Sequence, residues 1–432
     1  MLTPAQRKEK MKAVIRAGTG NFLELYDFLV YAYFAPYIAR AFFPTENEFM
    51  SIMLALGTYG VASFARPFGA IILGSYMDRH GRRKGLLVTL TLMAIGTATL
   101  AFTPGYETIG IFAPIIITAG RLIQGFSIGV EAGGVNVYLA EIATPKNRGF
   151  YCSWQGGSQA LGVMAATGLG AFLTATLTPE EMQAYGWRIP LIVGCGIIPI
   201  LFWLRRSLQE TEYFENSTHA RSTWEVLRIL GDHWVILAIG VMLTILNTTM
   251  FYFVNTYTPT YGIRALGLDP FGTFLVALTV GTVSFILLPV GGIVSDRLGR
   301  FPTLVAVPVL VLATSYIGMA WLDAAPSFER LLAVELWLAS LYAMYAGTLV
   351  PLLTEIIPGK ARSSGYSIIL SLANGIFGSF TPFIATGLIE ITGDRASPAL
   401  WLSACAALSL LGSFALWRFM IKPAVPAAAI AE

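Results

Sequence analysis

The chain has 432 residues, of which 55% are hydrophobic and only 12% charged, with a formal net charge of +3. Soluble domains carry roughly 25% charged residues, so a water-soluble globule is excluded. The small positive excess does not point to nucleic acid. Three cysteines, Cys152, Cys195 and Cys405, all fall in apolar runs, and His80, His219 and His233 fall in loops or at a helix start. Neither a disulfide frame nor a metal site is expected from such spacing, and no cofactor motif or nucleophile constellation suggests an enzyme.

Apolar stretches of about 20 residues recur from end to end, each long enough to cross a bilayer. Lipid offers no partner to an open backbone and the runs are too long for barrel strands, so they must be helices. Twelve spans are predicted, near 14–43, 50–77, 85–104, 111–143, 149–177, 187–206, 233–261, 270–295, 302–322, 328–357, 361–391 and 397–421. The expected class is an all-α integral membrane protein with two six-helix halves, 1–206 and 233–432. A polar cytoplasmic linker at 207–232 joins them. Met1 to Lys12 is basic and amphipathic and lacks a cleavage signature, so it is not expected to be a removable leader.

Basic residues crowd one side of this topology. Arg7, Lys8, Lys10, Lys12, Arg79, Arg82, Arg83, Arg148, Arg205, Arg206, Arg297, Arg300 and Arg362 share it, while Arg40, Arg188, Arg264, Arg330 and Arg395 stand on the other. The charge rule therefore places both termini and the linker in the cytoplasm of a bacterial inner membrane.

A loop motif occurs twice. Gly74-Ser-Tyr-Met-Asp78-Arg79-His-Gly81-Arg82 closes the second span, and Gly292-Ile-Val-Ser-Asp296-Arg297-Leu-Gly299-Arg300 closes the eighth, half a chain later. A second pair repeats almost in step, Glu141 to Arg148 and Glu355 to Arg362. The chain thus reads as two copies of one membrane unit, an arrangement used by secondary transporters. Asp78 is placed to face the N-terminus of a helix from the other half, which carries partial positive charge. Arg82, Arg83 and Lys84 can pair with Glu141. Together these residues form a candidate cytoplasmic gate that holds one conformation and releases another. The plainer reading is topological anchoring by arginine, which one copy would leave open and two copies make less economical. The second copy ends in Phe301 and Pro302 rather than more basic residues, which predicts a weaker latch there.

Ionisable groups inside the membrane are costly and face a cavity or a partner, so each is a functional candidate. The first span holds Glu24 and Asp27, three apart and so on one helical face with Asn21 and Tyr31. Arg66 lies in the second span, and Arg121 and Glu131 lie in the fourth. At about 1.5 Å per residue, Asp27, Arg66 and Arg121 fall near the midplane. An Asp27–Arg121 pair would act as a proton switch, ionised while paired and protonated when separated; a permanent ion pair is the structural alternative. Glu24 and Glu131 are weaker proton sites. Arg66 is a candidate carboxylate clamp, or a helix link to Glu24 or Glu131. Gln155, Gln159, Asn247, Tyr252, Asn255 and Asn374 lie at cavity depth and join Tyr31 as candidate substrate contacts, or serve as interhelical hydrogen bonds. Glu335 and Glu390 are expected near the outer surface, without a role. Two arginines against three carboxylates suit an anion that enters with protons, and equally a zwitterion or a cation.

The first loop motif, together with Arg121-Leu-Ile-Gln124-Gly125, resembles the major facilitator superfamily over nearly the whole chain. Three stretches are similar to its metabolite:proton symporter family: Asn21 to Phe28, Arg66-Pro67-Phe-Gly69-Ala70, and Gly125 to Gly134. That family imports citrate, other carboxylates or zwitterionic osmolytes. Tyr151-Cys-Ser-Trp154-Gln155, Trp187-Arg-Ile-Pro190, Arg205 to Thr211 and Tyr257 to Gly262 resemble its tricarboxylate carriers in particular. The resemblance implies a monomeric carrier of a tricarboxylate, citrate before tricarballylate, with protons as the second partner and the lipid bilayer as its medium. The osmolyte branch typically carries a long C-terminal coiled coil, which this chain does not show. A nutrient sensor on the same scaffold is a further alternative, though the short linker and tail offer little output segment.

Overall fold

The computed structural model describes residues 14, 21–22, 25–80, 82–129, 131–206, 228, 231–358 and 362–421. Among the described residues twelve helices cross the molecule. The first, α1, covers 21–22 and 25–42 and is broken by a turn at Phe34. Then come α2 (Glu48–His80), α3 (Arg82–Phe102) and α4, which runs Phe112–Ile128 and resumes as Glu131–Ile142. Helices α5 (Arg148–Thr176) and α6 (Ile189–Arg206) complete the first half. In the second half, α7 starts at Trp234 and ends at Ala265, followed by α8 (Pro270–Leu298), α9 (Arg300–Ala324) and α10 (Phe328–Ile356). Helix α11 runs from Arg362 to Thr392, and α12 from Pro398 to Ile421. No strand occurs among the described residues. The linker at 207–227 and the tail after Ile421 lie outside them.

Local sequence sets where the helices start and stop. Asp269 caps α8 by accepting from Gly272 N at 2.8 Å, with Pro270 in the first turn, where its missing N–H costs nothing. Ser327 caps α10 through Arg330 N at 3.2 Å. Gly393 ends α11 at φ 69°, a left-handed conformation that glycine adopts without strain. Two further helices are internally irregular. In α7, wide π turns at Phe253–Tyr257 and Tyr261–Ala265 bracket Thr258–Thr260, and Pro259 there lacks the amide of a regular ladder. A third π turn, Asn374–Gly378, interrupts α11. The predicted seventh span, ending at 261, is therefore extended by one wide turn.

Ile115, Phe172, Ile200, Ile286, Ile317, Leu411 and Phe414 remain exposed on the perimeter, as lipid contact requires. In α10, 78% of the most apolar window is buried against 39% in α9, so α10 lines the interior and α9 the rim.

The halves meet backbone to backbone. A Cβ on Gly292 of α8 would lie 2.4 Å from the Gly149 carbonyl oxygen of α5. Within the first half, a Cβ on Gly125 of α4 would fall 1.7 Å from the Ala62 oxygen of α2. Small residues in these helices are thus contact points and not gaps. We predict that Gly292→Ala destabilises the detergent-solubilised protein by about 1–3 kcal/mol, the usual cost of overpacking. Gly168→Ala, whose nearest neighbour would be a leucine methyl at 3.8 Å, serves as the control. Thermal unfolding followed by tryptophan fluorescence decides; equal midpoints would show that α5 and α8 do not pack this closely.

Candidate functional site

A cavity with an empty volume of about 850 Å³, its mouth included, lies between the halves. Asn21, Leu25 and Phe28 of α1, Arg66 of α2 and Cys152, Ser153, Gln155 and Gln159 of α5 form one wall. Asn247, Thr248, Phe251 and Tyr252 of α7, Tyr342 and Val350 of α10, and Tyr366 and Asn374 of α11 form the other. Cys152, Val350 and Tyr366 lie one to two turns from the helix ends that bear Arg148, Glu355 and Arg362, so the cavity extends toward that basic face.

Six of the substrate candidates read from sequence converge here: Arg66, Gln155, Gln159, Asn247, Tyr252 and Asn374. Among the described residues Arg66 is the one cation in the lining, and it is 7% exposed. Its guanidinium carbon sits 4.6 Å from the centre of the Phe28 ring, and Nε has no hydrogen-bond partner. A cation held over an aromatic face keeps its in-plane N–H groups available for a carboxylate. Glu24, proposed as its helix-linking partner, lies outside the described residues, as does the side chain of Glu131. Asn21 ties α1 to α5 by donating to the Gln155 carbonyl (3.1 Å) and to Ser158 Oγ (2.8 Å).

Arg121, Tyr31 and Asn255 do not line the cavity. Arg121 is wholly buried, with its guanidinium 4.4 Å from the Phe28 ring centre, 4.5 Å from Tyr31 and 5.1 Å from Tyr59. Those rings wall it off from the open space. Tyr31 donates to the Ala55 carbonyl at 3.2 Å, and Asn255 Nδ2 to the Phe251 carbonyl at 3.3 Å, so both side chains serve helix packing.

Asp27 and Arg121 do not pair directly. Gln124 stands between them: Arg121 Nη1 donates to Gln124 Oε1 at 2.7 Å, and Gln124 Nε2 donates to Asp27 Oδ2 at 2.7 Å. Thr97 of α3 also donates to Asp27 Oδ2. The expected contact becomes a relay because Arg121 is drawn onto three aromatic rings, leaving space that an amide fills. Asp27 Oδ1 and Arg121 Nε and Nη2 keep no partner, so the relay satisfies each charge only in part. Gln124 was legible in sequence: it lies three residues from Arg121, on the same helical face. Thr97 carried no signal within its apolar run.

At the basic face, Asp296 accepts from Gly149 N (2.8 Å) and Phe150 N (3.1 Å), the first turn of α5. This is the geometry expected of Asp78, realised by the second copy of the motif. Arg300 binds Asp296 at 3.0 Å and Glu355 at 3.0 Å, and Arg148 reaches Glu355 at 3.4 Å. The second latch is therefore fully connected despite Phe301 and Pro302, since its cations come from Arg300 and from α5. Arg297 is exposed, and Glu141 is exposed at the end of α4. Arg362, a further gate candidate, keeps an unpartnered Nε. Gly74 and the side chains of Asp78, Arg79 and Arg82 are not among the described surroundings.

The opposite face is shut. Tyr33 Oη of α1 donates to the Asn255 carbonyl of α7. Phe34 packs on Phe274 of α8 with ring centres 5.6 Å apart. Glu48 bridges Arg40 of its own half and Arg264 of the other, each at 2.6 Å. Glu390 is exposed, as expected. Glu335 is not: it is 1% exposed, because α10 is an interior helix and places it against α7.

Replacing Gln124 by Leu removes the amide that joins Asp27 to Arg121 while keeping similar bulk. It leaves two buried charges short of a hydrogen bond, each worth roughly 1.5–3 kcal/mol. We expect a lower thermal midpoint and at least a tenfold loss of substrate uptake, with Gln124→Glu partly restoring stability through its pairing with Arg121. Unchanged uptake by the Leu variant would exclude the relay from function.

The sequence profile of the Major Facilitator Superfamily matches residues 17–382. The chain is 48% identical to a citrate-proton symporter of Salmonella typhi, over 96% of this chain and 95% of that one. It is 46% identical to a citrate-proton symporter of Klebsiella pneumoniae, over 95% and 92%. A putative proline/betaine transporter of Staphylococcus aureus (strain MSSA476) is 31% identical over 94% and 87%. Among solved structures, a crystal structure of a D-xylose-proton symporter superposes with a TM-score of 0.75 at 20% identity, covering 95% of this chain and 97% of that one. The partially occluded, inward-open xylose transporter XylE of E. coli gives 0.73 at 20%, covering 95% and 98%. These last two speak for the fold alone. The chain belongs to the major facilitator superfamily.

Proposed function

We propose that this protein imports citrate together with protons by alternating access, as a monomer in the inner membrane of a bacterium. The observation that carries this is Arg66, set in a cavity whose polar lining is otherwise amides, hydroxyls and phenols, in a chain 48% identical to a citrate-proton symporter. A guanidinium fork accepts one carboxylate at two points. Gln155, Gln159, Asn247, Tyr252 and Asn374 supply donors for the other carboxylates and the hydroxyl. A zwitterionic osmolyte would find no Asp or Glu for its cationic end among the described lining residues, only the aromatic faces of Phe251, Tyr252, Tyr342 and Tyr366. The 31% identity to proline/betaine carriers is correspondingly the weaker likeness.

One arginine does not balance three carboxylates in a low-dielectric cavity, where like charges repel strongly. Substrate entry is therefore linked to proton uptake. Asp27 is the proton carrier in this scheme. With the Gln124 relay intact it is held as an anion by two donors, the Gln124 amide and the Thr97 hydroxyl, with Arg121 behind the amide. When α1 and α4 shift against each other, the relay opens and the uncompensated carboxylate takes a proton. Arg121 acts on Asp27 through Gln124 and does not touch substrate in this conformation. The basic face is cytoplasmic, so the cavity is reached from inside while Glu48, Arg264 and Tyr33 close the outside. The network at Asp296, Arg300 and Glu355 is the inner gate.

Two variants in proteoliposomes test this. Arg66→Ala should raise the KM for labelled citrate roughly 10- to 100-fold, the loss of one or two charge-assisted hydrogen bonds. Asp27→Asn should abolish accumulation driven by a proton gradient and retain citrate–citrate exchange. Accumulation by Asp27→Asn would remove that residue from coupling, and citrate-insensitive uptake of betaine by the parent would overturn the substrate.

A further inference from the structure

Glu335 is a buried carboxylate that the scheme above does not use. It is 1% exposed and its Oε2 has no hydrogen-bond partner. The Thr258 hydroxyl beside it donates its proton to the Val254 carbonyl at 2.8 Å. No arginine, lysine or histidine among the described residues acts on it. An isolated carboxylate in an apolar interior costs far more than a neutral acid.

Its position gives this chemistry a purpose. Glu335 is seven residues from Tyr342, two turns along the same face of α10, so it lies about 10 Å further out on the face that lines the cavity. Between the two levels stands the seal formed by Tyr33 and the Asn255 carbonyl. Thr258, beside it, belongs to the short α-helical stretch of α7 between two π turns, where the helix is least regular. The carboxyl thus contacts the irregular outer segment that must move when the outer side opens. The ionisable groups near it are Tyr261, which it acts on directly, and Tyr257, Asp323 and Asp394 grouped about Tyr261. Arg395 is held by Asp323 at 3.8 Å, and Tyr261 Oη donates to its backbone carbonyl at 2.8 Å.

We propose that Glu335 is a proton-binding site that locks the outer side: it must bind a proton from the outer water before α7 can close over it, and it returns that proton to the same side on opening. This proton is not carried across, because the seal lies between Glu335 and the cavity. Outward opening wets the carboxyl and lets it ionise, and closure dehydrates it and requires the neutral form. The inference rests on the alternating-access reading, and it is independent of which substrate is carried.

The test is the outer distance between halves as a function of pH. Spin labels on Glu107→Cys and Ala325→Cys, in a Cys195→Ser background in lipid nanodiscs, report it by dipolar spectroscopy in sodium-free buffer. The parent should shift from long to short distances as pH falls, with the closed-to-open ratio rising by up to about tenfold per pH unit, the limit for one proton. Glu335→Gln should be closed to the same extent at every pH, and Glu335→Asp should regain a pH response. A Glu335→Gln protein with the parental pH response would overturn the proposal. Labels that separate when citrate is added yet ignore pH would sink the lock alone. Labels that never separate under any condition would sink alternating access with it.

Discussion

Two opposite charges, Asp27 and Arg121, are buried in the middle of a membrane helix bundle, and nothing in lipid can solvate them. The rest of the first half is arranged around that fact. Arg121 is spread over Phe28, Tyr31 and Tyr59, whose faces offer partial negative charge without competing for hydrogen bonds. Gln124 transmits its polarisation to Asp27, and Thr97 fixes the carboxylate from a third helix. A direct ion pair would be the deeper energy well. The relay is shallower, because each charge retains atoms without partners. A group that has to change its protonation during a cycle is better served by a shallow well than by a deep one.

The same three aromatic rings separate two tasks that the sequence could not tell apart. Arg66 and Arg121 stand at similar depth, and depth is all that a count along a helix yields. Both rest on Phe28, Arg66 at 4.6 Å and Arg121 at 4.4 Å. Arg66 lines the cavity, whereas Arg121 is closed in by Tyr31 and Tyr59 as well and joins Asp27 through Gln124. The division of labour therefore comes from the surrounding rings rather than from any difference between the arginines themselves.

Much of this was legible beforehand, and the reasons are specific. Hydrophobic length placed the helices, since a bilayer imposes one thickness on every span. Periodicity placed Gln155 and Gln159 on a common wall, and the repeated Asp296 motif announced its partner at a helix start. What was not legible depended on contacts across the bundle. Helix rotation in α10 buries Glu335, which charge and position in the chain assigned to the surface. Thr97 is one hydroxyl in an apolar run, with no local signal that its partner is an aspartate on another helix. Asn255 was placed in the cavity by depth, whereas a wide turn in α7 rotates it away.

That wide turn has a consequence for how the outer seal tolerates change. A π turn breaks the regular succession of backbone bonds and leaves a carbonyl oxygen free to look outward. At residue 255 the oxygen is used by the hydroxyl of Tyr33 from the opposite half. The acceptor is main chain, so it persists whatever side chain occupies that position. Drift at residue 255 can alter the neighbourhood without unlatching the door, while the phenol opposite has no such freedom. The closure is thus written into helix geometry on one side and into a single hydroxyl on the other.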